Sequence, residues 1–200
     1  QFRGQTVDFN VFYRDLPVED PYNQIRATIR QNGRWDNSIQ SLAPTFVKED
    51  QGKLEFRYFD NSNAFSPGNE FRYFDIRSII APGQFVKAIE REPDPVNIYI
   101  QKDKPRTGLA YTFYRDLNGG FEVINFDAGN SSSYSDYINV NFELELDHDG
   151  VTRQLYIFGE LTNWQLLPEA RLRYNSTSKS YQSNLLLKQG WYDYQYYQLS

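Results

Sequence analysis

Residues 138–146 read Ile-Asn-Val-Asn-Phe-Glu-Leu-Glu-Leu, apolar at every second place with Asn or Glu between. That alternation fits a pleated strand with one dry and one wet face, and it does not fit a helix, whose apolar stripe recurs every three or four residues. The same period recurs along the chain. Val7, Phe9 and Val11 alternate with Asp8 and Asn10; Ile25, Ala27 and Ile29 with arginine and threonine; Val96, Ile98 and Ile100 with Asn97 and Tyr99. Further strands are expected near 45–50, 53–60, 70–78, 84–91, 109–115, 121–127, 154–161, 171–175, 181–187 and 190–199. No stretch sustains helical spacing over three turns. The apolar set agrees with this pattern: 16 tyrosines and 15 phenylalanines favour a half-buried pleated surface. The expected fold class is all-β, as two tandem β-sandwich (immunoglobulin-like) domains.

Composition places the boundary between them. Residues 128–136 (AGNSSSYSD) are small, polar and without period. The expectation is an N-terminal sandwich over 1–128, a linker over 129–136 and a second sandwich over 137–200. The pentapeptide FRYFD occurs at 56–60 and again at 71–75, and FYRDL at 12–16 and 113–117. Their flanks do not match, so duplication is not implied. The FRYFD pair reads as a hairpin closed by residues 61–70, with arginines and acids paired across strands.

The chemistry is bounded by absence. There are no cysteines and one histidine, His148. This removes disulfides, Cys-based metal sites, a Cys nucleophile and any site that needs two histidines from this chain. Asp147-His148-Asp149-Gly150 lacks the further acids of a calcium loop and reads as a hairpin turn. The net charge of −5 with no basic run argues against nucleic acid or an anionic membrane surface as partner. No apolar run has the length of a membrane helix. No carboxylate pair, metal cluster or nucleophile motif stands out, so the expectation is a non-enzymatic protein with no cofactor, no metal and no catalytic residue. The conspicuous side chains are aromatic. Trp35 in NGRWDN and Trp164 in LTNW lie in turn-like settings, and Trp191 lies on a strand with aromatics on both faces. These three are the candidate contacts for a protein partner or a glycan.

Two resemblances follow. YIFGELTNW (156–164), RLRYN (171–175) and YQSNLLLKQGWYDYQY (181–196) resemble carbohydrate-binding modules of the starch and glycogen class. That likeness would make Trp164 a sugar platform. The second platform tryptophan of the class has no counterpart before Ser200. Over nearly the whole length, DLPVEDPY (15–22), IRQNGRWDNSI (29–39), PGNEFRYFDIRS (67–78), DLNGGF (116–121) and LLLKQGWYDYQY (185–196) together resemble the N-terminal half of the type IX secretion system plug protein family. Members of that family run further, so the resemblance implies one half of a longer protein whose signal peptide has been removed or omitted. It also implies a periplasmic protein, associated with the outer membrane, that binds the translocon barrel and closes its channel when no substrate-carrying shuttle subunit is engaged, without inserting into the membrane. Asn69, Glu70, Arg72, Asp75 and Arg77 in the densest of these motifs read either as a structural ion-pair network, the favoured expectation because alternating charges in one sheet satisfy one another, or as part of a contact surface.

Overall fold

A computed structural model describes residues 4–14, 16–66, 70–92, 94–106, 117–147 and 153–199. His148, the 147–150 turn, most of the second FYRDL and the strand expected over 109–115 lie outside the described residues. The architecture is all-β. Apart from isolated 3₁₀ turns, the one helix among the described residues is the single turn Pro21–Gln24, where Asp20 accepts the Asn23 N–H and proline stands at the first helical position.

The chain divides into two compact units, 1–69 and 70–200. The first unit carries β1 (Gln5–Thr6), β2 (Phe9–Phe12), β3 (Ala27–Arg30), β4 (Ser38–Leu42), β5 (Phe46–Lys48), β6 (Lys53–Phe56) and β7 (Ala64–Phe65). They form a three-stranded sheet in the order β2-β6-β5 and the pairs β3-β4 and β1-β7. Leu54 and Phe56 of β6 are fully buried and pack with Leu42, Phe9, Val11 and Ile29. Each such side chain contributes roughly 1.5–3 kcal/mol of burial. On the other face Lys53 and Glu55 meet Lys48, whose ammonium and that of Lys53 lie 2.8 and 2.7 Å from one Glu55 oxygen.

The second unit carries β8 (Arg72–Asp75), β9 (Val86–Glu90), β10 (Asn97–Ile100), β11 (Phe121–Val123), β12 (Tyr137–Leu144), β13 (Gln154–Phe158), β14 (Arg171–Asn175), β15 (Ser180–Lys188) and β16 (Gly190–Leu199). The pairing path is β11-β16-β13-β14-β15-β12-β10-β9, with β8 also on β16. It folds over on itself through β14. Leu172 pairs with Leu155 of β13, while Tyr174 pairs with Tyr181 of β15, so one strand serves both layers. Between the layers lie Phe74, Ile98, Ile138, Val140, Phe142, Ile157, Leu172 and Tyr194. The alternation read at 138–146 is thus the dry face of β12, which pairs with β15 over eight residues and lies parallel to β10.

Three expectations are corrected. The boundary does not fall at 129–136, because β8 to β11 before that segment share a sheet path with β12 to β16 after it. Residues 128–136 have the composition of a linker but are folded down. Asn125 and Ser131 exchange backbone hydrogen bonds, Asn125 Nδ2 donates to Tyr134 O, and Asp136 N donates to the buried Gln189. The FRYFD hairpin does not form. Phe56 closes β6 in the first unit, and 72–75 is β8 in the second, paired with β16. The strand expected over 53–60 ends at Phe56.

Candidate interaction face

β8 and β16 are antiparallel, with Phe74 opposite Tyr192 on the core side and Asp75 opposite Trp191 on the outer side. Period two then places Tyr73, Asp75 and Arg77 on the outer face beside Trp191. The Trp191 indole is stacked on Tyr73, with ring centroids 4.6 Å apart and planes 15° from parallel. Tyr73 meets the edge of Phe85 at 4.9 Å. On the other side of Asp75 the Arg77 guanidinium lies 5.2 Å from the Trp191 ring and 4.2 Å from Phe126. Asp75 fixes this guanidinium with two parallel hydrogen bonds, of 2.9 and 2.7 Å, and this pairing raises the Arg77 pKa further. The result is a continuous row, Phe85–Tyr73–Trp191–Arg77–Phe126, whose outer members Phe85 and Phe126 are exposed.

Next along β16 the outer face is closed. Asp193 is fully buried, and its carboxylate accepts Leu117 N–H at 2.5 Å, Gly119 N–H at 3.2 Å and Trp191 Nε1–H at 3.2 Å. The DLNGGF loop is pinned there. Gly119 has φ +85, and a Cβ on it would run into the Trp164 and Phe71 rings. Trp164 follows a 3₁₀ turn with φ 56. It lies half-buried between the edge-packed rings of Phe71 (6.1 Å) and Phe158 (5.5 Å). Gly190 allows a second close approach, because a Cβ there would collide with the Glu122 carbonyl of β11.

A third cluster joins β8, the end of β10 and β16. Arg72 Nη1 donates to Asp103 Oδ1 at 2.6 Å and Nη2 to Lys104 O at 2.5 Å. The Tyr194 and Tyr196 hydroxyls donate to Asp103 Oδ2 at 2.5 and 2.9 Å. Burial first, with Asp103 among the further causes, pushes both tyrosines well above their ordinary value. Of the five polar residues expected to form an ion-pair network, Arg77 pairs with Asp75 within the set, while Arg72 pairs outside it, with Asp103. Asn69 lies outside the described residues.

The three tryptophans are therefore differently placed. Trp191 and Trp164 belong to the second unit and are linked through Asp193 and Gly119. Trp35 belongs to the first unit, on the β3-β4 turn, and is 66% exposed. Tyr73, Phe85 and Phe126 were not singled out from the sequence. The available signal was an aromatic residue on the wet register of a strand, flanked by opposite charges. Among the described residues no group of three or more His, Asp or Glu side chains is arranged to hold a metal. A shallow recess of about 510 Å³ beside Ile79, Asn125, Tyr134 and Gln189 is lined by polar groups mostly bonded to one another.

No protein-family model and no curated protein matches the chain. Among solved structures it is similar to a hypothetical protein from Parabacteroides merdae, with 28% identity and a TM-score of 0.81 over 98% of this chain and 48% of that one. The chain spans about half the length of that protein, and the all-β sandwich fold extends across the matched region.

Proposed function

We infer that the chain is a non-enzymatic interaction protein, and that it acts in the periplasm as a plug on the type IX secretion translocon. The observation that carries this reading is the convergence of three motifs of the family resemblance. PGNEFRYFDIRS, DLNGGF and LLLKQGWYDYQY contribute β8, the loop over Asp193 and β16, and meet on one outer sheet face. That face presents aromatic rings and a fixed guanidinium, the side-chain types over-represented where proteins bind one another. A plug needs a rigid body with a surface that releases, and a mixed aromatic and charged row suits that better than a broad apolar patch.

The test is capture. The immobilised chain retains the translocon barrel from detergent extracts of outer membranes when the substrate shuttle is absent, and loses it when the shuttle is bound. Failure to retain the barrel in the shuttle-free state overturns the reading. The carbohydrate-binding alternative is less well served at Trp164, the expected platform, whose half-buried ring packs against Phe71 and Phe158, and at Trp191, whose ring is packed by Tyr73 and Arg77. A glycan array separates the two readings.

A further inference from the structure

The β3-β4 turn holds an indole in water on a loop that is fixed from within. Arg30 and Ser38 are its last cross-strand pair, and Asn32 and Gly33 turn the chain at φ 53 and 72. Gln31 N–H donates to Asn37 O at 3.1 Å, Asn37 Nδ2 to Gln31 Oε1 at 2.6 Å and Ser38 Oγ to Trp35 O at 2.7 Å. Arg34 grips both oxygens of Asp36, at 3.0 and 2.6 Å. The polar side chains around Trp35 are thus largely engaged with one another. Trp35 itself stays 66% exposed, oriented by the Arg30 guanidinium 4.5 Å from its ring centroid. Arg30 is also exposed, and among the described residues no carboxylate lies within ion-pair distance of it.

A large apolar ring held rigidly in solvent forgoes its own burial, while its preorganisation lowers the ordering cost of binding. Tryptophan and arginine are the residue types most often found at the energetic centre of an interface. We propose that Trp35 and Arg30 form the anchor by which this chain docks on a protein partner. The indole enters an apolar pocket and the guanidinium meets a carboxylate at the pocket mouth. This rests on the interaction-protein reading above and supplies its recognition chemistry. A sugar is the poorer occupant. Arg30 already covers part of the ring, and of the neighbouring groups that would bind hydroxyls Asp36 is held by Arg34 while Asn37 is bonded to Gln31.

The test uses the full chain and outer-membrane extract containing the translocon barrel. Wild type retains the barrel, and Trp35→Ala and Arg30→Glu each weaken retention roughly thirtyfold or more, as loss of a central contact does. Arg30→Lys keeps part of the affinity, and all three variants melt with wild type because both side chains lie outside the core. If Trp35→Ala and Arg30→Glu retain the barrel as well as wild type, the anchor is wrong while the plug reading stands. If wild type retains no barrel, both fall. If a soluble maltodextrin displaces the bound barrel and protects Trp35 fluorescence from quenching, the indole is a sugar platform and the proposal is overturned.

Discussion

The Asp193 carboxylate accepts the backbone N–H of Gly119 at 3.2 Å, across 74 residues of sequence and from a fully buried position. A charged side chain on the wet register of a strand has been sealed by the loop it binds. The same carboxylate orients Trp191, and the same glycine lies under Trp164. Asp193→Ala therefore strands the Leu117, Gly119 and Trp191 donors together. The expected loss is about 2–4 kcal/mol in chemical denaturation, with the Trp164 and Trp191 emission shifting to that of a more exposed indole.

Gly119 supplies both a left-handed φ and room for two rings. Gly119→Ala is expected to destabilise by about 2–3 kcal/mol, combining backbone strain with overpacking. A double-mutant cycle with Trp164→Ala separates the parts. The cost of the alanine falls in that background but does not vanish, since the positive φ remains. Equal costs in both backgrounds would show that the indole does not press on the loop.

The Asp103 cluster makes the fold sensitive to alkali. The folded-state pKa values of Tyr194 and Tyr196 are raised above the ordinary 10.0. A raised pKa contributes stability that is fully present below the unfolded value and is lost as pH climbs toward the folded one. Ultraviolet titration should show these two phenols ionising only together with unfolding, above pH 10. Asp103→Ala removes the partner of the Arg72 guanidinium and both hydroxyls, and is expected to cost about 3–5 kcal/mol.

The first unit has an acid-sensitive counterpart. Hydrogen bonds from Lys48 and then Lys53 lower the Glu55 pKa from 4.5 to about 2. A depressed pKa gives stability that is present above the unfolded value and lost as pH falls through the folded one. Melting temperature should therefore drop between about pH 4.5 and 2, and Glu55→Gln should flatten that part of the profile. An unchanged profile in the variant would show that the triad carries no weight.

What was legible in the sequence was what the chain does locally. Alternation identified β12, with Ile138, Val140, Phe142 and Leu144 on its dry face, and the strand expected over 171–175 is β14 residue for residue. Pairing was not legible. Nothing local says that β10 lies parallel to β12, or that Asp193 reaches Gly119. The two copies of FRYFD make the point. The first leaves its sheet after Phe56, while in the second Arg72 to Asp75 run along β16, because tertiary partners rather than the pentapeptide decide. Residues 128–136 were misread for a related reason. Small polar side chains mark flexible linkers, yet here Ser131 and Ser135 supply local hydrogen bonds of a folded loop. Trp35, Trp164 and Trp191 were conspicuous from the sequence, but their different burial depends on Arg30, Gly119 and Tyr73, which only folding brings to them.

The proposed role is that of a plug that binds the translocon channel and closes it. Single-channel conductance of the purified translocon barrel in a planar bilayer, with the protein added on the periplasmic side, tests it most directly. Open-channel current is expected to fall to baseline saturably with protein concentration, and Trp35→Ala to shift the closing curve to higher concentration. Current unchanged at saturating wild-type protein would contradict it.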